Sequence, residues 1–122
     1  ILEMDRFPPA LGQGAIAIET RMDDIRVLQA LAPLLDVTTG TALAAERSFL
    51  ETLDGSCRTP IAGLATITGE TLSLHGLIAT PDGTRVEEMV LDGPSADAVE
   101  IGREIGLRLK ERGGPDFFVD WV

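Results

Sequence analysis

Tyrosine is missing from this 122-residue sequence, and the remaining aromatics are four Phe and one Trp. So few rings leave little to stack against nucleobases, which sets aside a nucleic-acid partner. Basic residues are also scarce, 10 against 20 acids, for a net charge of −10. A surface of that sign repels both nucleic acid and anionic membranes. The chain has one cysteine, Cys57, and one histidine, His75. A lone cysteine excludes an internal disulfide and makes no demand for an oxidising compartment, so the expected location is cytoplasmic. One His and one Cys also exclude a conventional Cys/His zinc site within one chain, so no metal is expected. No apolar run approaches the length needed to span a bilayer, and no signal-peptide pattern opens the chain.

The residues present are those of a packed domain: 44% are hydrophobic and 25% charged. Of the ten bases, all but Lys110 are arginine, the side chain suited to two-pronged carboxylate recognition. Residues 1–13 read as an incoming loop broken by Pro8 and Pro9. Residues 14–20, "GAIAIET", alternate as a strand does. The stretch 21–32 carries Ile25, Leu28 and Ala32 at helical spacing, continued by Leu35, with Asp23 and Asp24 at its N-terminal end and Pro33 as its stop. A second helix is expected over 38–54, capped by Thr38 or Thr39 and ended by Gly55. Strands follow at 60–68, 71–79 and 84–91, joined by turn chemistry at 68–70 and 81–83, which predicts an antiparallel meander. Ser95 should cap a final helix over 96–112, with Ala98, Ile101, Ile105 and Leu109 inward. The order from residue 22 is α-α-β-β-β-α. It predicts an α+β fold, a three-stranded antiparallel sheet with three helices packed on one face.

Four features could carry chemistry. Cys57 lies on a loop between Gly55-Ser56 and Arg58-Thr59-Pro60. Such a thiol is either a small buried hydrophobe or, with Arg58 beside it to favour the thiolate, a nucleophile or a point of covalent attachment. His75 points away from Leu72, Leu74 and Ile78, onto the open face of the sheet. No nucleophile–base–orienter set can be assembled from it, so the thiol reads as an anchor. The run "GQGAIA" at 12–17 matches a relaxed dinucleotide fingerprint in the wrong context, since that fingerprint needs a strand before it and a helix after. What remains is a glycine loop that lets backbone amides approach a ligand or another segment. Glu46 falls within the apolar stripe of the second helix. Either Glu46 forms an ion pair to a neighbouring element, or the functional member of the pair is Arg47, placed as a cation near the cysteine loop.

Read together, "PALGQGAIAIETR" (9–21), "ALAAERSFLETLDGSCRTPIAGLA" (42–65) and "LSLHGLIATPDG" (72–83) resemble the porphobilinogen deaminase (hydroxymethylbilane synthase) family. The resemblance implies that Cys57 carries a dipyrromethane cofactor through a thioether, with Gln13, Gly14 and Arg47 as further cofactor-binding residues. It implies a transferase that joins four porphobilinogens into hydroxymethylbilane in tetrapyrrole biosynthesis, with porphobilinogen and the growing polypyrrole as its ligands. Only the end of that family is matched. Residues 1–21 resemble a loop and strand returning to a first domain, and 22–122 resemble the C-terminal cofactor-attachment domain. The catalytic aspartate has no counterpart here, so no catalytic residue is assigned and the chain alone is expected to be inactive. The missing N-terminal domains are its expected partners, and self-association through residues 1–21 is a further expectation. The alternative is a free-standing α+β binding or regulatory module with a deaminase-like fold.

Overall fold

A computed structural model of the chain describes residues 2–4, 6–55 and 59–121. Three helices and one sheet make up its regular structure: α1 (Ile25–Leu31), α2 (Val37–Thr52), β1 (Ile61–Thr68), β2 (Thr71–Ala79), β3 (Val86–Pro94) and α3 (Ala98–Gly113). The strands form an antiparallel sheet in the order β1-β2-β3, as the alternation and turn residues predict. Gly63 pairs with Gly76 and Ala65 with Leu74 across β1 and β2, while Leu74 pairs with Leu91 across β2 and β3.

One face of the sheet is covered by α2 and α3. Leu72, Leu74 and Ile78 of β2 are fully buried against Ala45 and Phe49 of α2 and Ile105 and Leu109 of α3. Ala98 and Ile101 are buried with them, so the inward stripe expected for the last helix is the one observed. The glycine pair makes room for an aromatic ring. A Cβ at Gly76 would stand 2.9 Å from Cζ of Phe49, and one at Gly63 would stand 2.8 Å from Cδ2 of Leu11. Helix α1 differs from the expectation of three helices on one face, because none of its residues is buried. It is only seven residues long and ends in a 3₁₀ turn at Ala32–Leu34, with Pro33 in that turn.

The helix ends correct the expected caps. Helix α2 begins earlier than Thr38, because Asp36 is the N-cap and its carboxylate accepts the Thr39 N–H at 2.7 Å. At the other end the left-handed residue is Asp54 (φ 53°), not Gly55. The Gly55 N–H donates to the Leu50 carbonyl at 3.0 Å and the Asp54 N–H to that of Glu51 at 3.0 Å. That pair of bonds is a Schellman motif, and Asp is among the few side chains that tolerate its left-handed position. Ser95 does not cap α3 directly. It opens a 3₁₀ turn over Ser95–Asp97, and its N–H donates to the Glu70 carbonyl at 2.8 Å. Strand β3 runs on to Pro94, beyond the expected end at 91, because its pairing with β2 continues to Thr71.

Two segments outside these elements are fastened to the body. After α3 the chain folds back so that Phe117 is buried, Phe118 and Trp121 stack edge-on at 4.7 Å, and the Trp121 indole N–H donates to the Ala79 carbonyl at 3.1 Å. Arg85 holds the same segment from the β2–β3 turn, its guanidinium 4.9 Å from the Phe117 ring centroid. Before α1, Leu11 packs against the core and the Pro9 carbonyl accepts the Gly63 N–H at 2.9 Å. Residues 15–20 join no sheet among the described residues.

Candidate functional site

Glu46 and Arg47 are neighbours on α2 with opposite fates. The alternating wheel positions turn Glu46 into the protein, where it is 7% exposed, and leave Arg47 on the surface. An ion pair was one expectation for Glu46. Instead both carboxylate oxygens accept backbone amides: Oε1 from Ala65 at 2.9 Å and Oε2 from Gly12 at 2.6 Å. Two amide donors compensate the burial of the carboxylate without any cation. No ion pair to Glu46 or Arg47 forms among the described residues.

The Gly12 bond draws the glycine loop over the side of α2. Gly12 has φ of 72° and Gly14 of 91°, conformations that favour glycine. Between this loop and α2 lies an open groove of about 680 Å³. Gly12, Gly14 and Arg47 line it together with Leu43 and Leu50 of α2, and Ile16 and Leu35 form further apolar wall. Leu50 also connects the groove to the loop after α2, since its carbonyl receives the Gly55 N–H.

Of the residues singled out in the sequence, Gly14 and Arg47 therefore meet at one groove. Gln13 does not line it: its side-chain carbonyl accepts the Ala10 N–H at 3.2 Å and closes its own turn. Cys57 lies outside the described residues, as does Arg58. His75 is on the open face of the sheet, as expected, with Nε2 at 3.1 Å from Glu88 Oε2. Among the described residues no three His, Cys, Asp or Glu side chains gather where they could hold a metal ion.

The donor set of the groove suits an acidic ligand with a flat apolar body. An exposed guanidinium can take a carboxylate in two-pronged fashion, and leucine and isoleucine side chains offer a surface for rings.

Comparison with known proteins identifies the family. A family model described as "Porphobilinogen deaminase, C-terminal domain" matches residues 41–111. A porphobilinogen deaminase of Nitrobacter hamburgensis is 50% identical over 118 residues, which is 97% of this chain and 37% of that protein. The porphobilinogen deaminase of Nitrobacter winogradskyi is likewise 50% identical over 118 residues, with the same coverage. The chain thus spans about 37% of the length of these curated relatives.

Proposed function

The chain belongs to the porphobilinogen deaminase family, and from that premise we propose that it is the C-terminal, cofactor-attachment part of an enzyme that makes hydroxymethylbilane from four porphobilinogens. The observation that carries this reading is the joint one: a family match over residues 41–111, and a groove lined both by Arg47 and by Gly12 and Gly14 of the glycine loop. Cys57 is the proposed attachment point of dipyrromethane, through a thioether. Bound there, the cofactor supplies the pyrrole end onto which substrate is joined. The chain's own residues bind and orient. Arg47 would hold a carboxylate arm by charge-assisted hydrogen bonds, and Leu43 and Leu50 would offer apolar surface to the rings. Porphobilinogen, the growing polypyrrole and the N-terminal domains are the proposed partners, and the cytoplasm is the proposed compartment.

The acid–base carboxylate that such a reaction needs belongs to the segments this chain does not match. General acid–base catalysis contributes about 10²–10⁴-fold and positioning more. Incubated alone with porphobilinogen, the chain is expected to give no bilane above blank. A chimera tests the reading positively. The chain replaces the corresponding C-terminal part of a relative's deaminase, and intact mass and bilane formation are measured. The active chimera should carry one dipyrromethane, and its Cys57→Ser variant should carry none and turn over nothing. A folded chimera without adduct or activity would favour a binding or regulatory module.

A further inference from the structure

Beyond its contact with the groove, the segment ahead of α1 has an attachment that the sequence boundary at Arg21 does not anticipate. The outer edge of β1 offers free N–H groups, which a sheet edge ordinarily leaves to solvent or to another chain. Here Gly63 donates to the Pro9 carbonyl at 2.9 Å, and Ala65 donates to Glu46 at 2.9 Å. The other oxygen of the same buried carboxylate takes the Gly12 N–H at 2.6 Å. Leu11, between those two anchors, packs into the core beside Gly63. Turn bonds complete a compact unit: Gln13 N–H to the Ala10 carbonyl at 3.1 Å and Ala15 N–H to that of Gly12 at 3.3 Å. From Ile16 to Thr20 no backbone hydrogen bond is donated among the described residues, and Ile16 is 92% exposed.

We infer that Glu46 is a positioning residue that fixes the 12–14 glycine loop on the groove that Arg47 also lines and makes residues 9–14 part of this body, so that only the stretch from Ile16 to Thr20 is free to join another domain. The hydrogen bonds stand independently of the reaction, whereas the loop's role at the groove rests on the function proposed above. Both carboxylate oxygens are needed as acceptors, one for each amide. Glutamine keeps one acceptor and turns an NH₂ donor toward an N–H donor, so it satisfies only one of the two amides.

Residue-resolved amide exchange on the 122-residue chain tests this without reference to activity. In the unmodified chain Gly12, Gly63 and Ala65 should be protected, while Ala17, Ile18 and Glu19 exchange at nearly free-chain rates. In Glu46→Gln, one of the Gly12 and Ala65 amides should exchange about tenfold faster or more, the loss expected for one charge-assisted hydrogen bond. Leu72 and Leu74 of β2 should keep their protection. Leu11→Ala, which leaves the carboxylate intact, should speed Gly12 and Gly63 but not Ala65. Gly12 exchanging as fast as Ile18 in the unmodified chain would overturn the inference. So would unchanged protection of both Gly12 and Ala65 in Glu46→Gln. Should Glu46→Gln fail to fold, the unmodified chain and Leu11→Ala decide the matter. In a chimera shown to carry dipyrromethane, Glu46→Gln should lower turnover while the adduct mass is retained, which separates the loop's role from attachment.

Discussion

A methyl group at position 102 has nowhere to go. Helices α2 and α3 approach so closely that a Cβ on Gly102 would collide with the Ala45 carbonyl oxygen and stand 2.9 Å from Cβ of Ser48. The crossing is further tied by the Ser48 hydroxyl, which donates to the Val99 carbonyl at 2.7 Å. Backbone cannot rotate aside as a side chain can, so Gly102→Ala should destabilise the fold by roughly 3 kcal/mol, the upper end of overpacking costs. Gly40, in the first turns of α2, has open space where its Cβ would lie. There the helix gains from alanine, and Gly40→Ala should stabilise by about 0.5–1 kcal/mol. Chemical denaturation of both variants checks the pair, since two glycines of the same helical layer should shift the midpoint in opposite directions. The same scale explains what could be read of the site in advance. Arg47 and Gly14 were visible because charge and glycine in an otherwise apolar pattern stand out. The partners of Glu46 were not, since nothing in a one-dimensional pattern tells which backbone amides, 34 and 19 residues away, will reach a buried carboxylate.

At the scale of elements, periodicity and turn residues were enough for the three strands, for α2 and for α3. Each carries a stripe or alternation strong enough to outweigh local ambiguity. The ends were harder to read because capping is a contest between adjacent candidates. Asp36 prevailed over Thr38 and Thr39 because its carboxylate reaches an amide three residues on, and Asp54 took the left-handed position beside an available glycine. The 3₁₀ turn at Ser95–Asp97 and the folded-back aromatic end depend on contacts with Glu70 and Ala79, which no local pattern contains. Two of these local devices make a pH prediction. The Thr39 amide holds the Asp36 carboxyl below its ordinary value of 3.8. Hydrogen bonds led by that of the Thr80 hydroxyl hold Asp82 below 3.8 in the β2–β3 turn. A depressed folded pKa means that the unfolded chain binds the proton first as acid is added. The stabilisation is therefore complete above the ordinary value and is lost as pH falls through the folded one. Urea midpoints of Asp36→Asn and Asp82→Asn against the unmodified chain should differ at about pH 7 and converge near pH 2. Asparagine preserves capping and turn geometry, so a difference that persists in acid would mean that charge is not what these positions contribute.

For the whole molecule, two properties oppose each other. A net charge of −10 repels a second copy, while Ile16, Ile18, Met22, Ile25, Leu34 and Leu35 are all exposed along residues 16–35. A run of that kind is apolar surface that a partner can cover. A second copy of the chain is one such partner; self-association is expected from the sequence in residues 1–21, and this exposed run extends that surface to residue 35. Salt separates the two contributions. Repulsion between exposed charges is screened over about 10 Å at 0.1 M and about 3 Å at 1 M, whereas apolar burial is not weakened by that screening. Sedimentation velocity should therefore find the chain mostly monomeric at low ionic strength, with the dimer fraction rising as salt is added. Ile16→Lys combined with Ile18→Lys should keep it monomeric throughout. Both positions lie beyond Gly14, on the groove wall and outside the core cluster, so these changes leave the core and the Glu46 anchor intact. A dimer that weakens with salt, or that persists in the double variant, would place the association on charged or other surfaces and remove residues 16–35 from consideration as its seat.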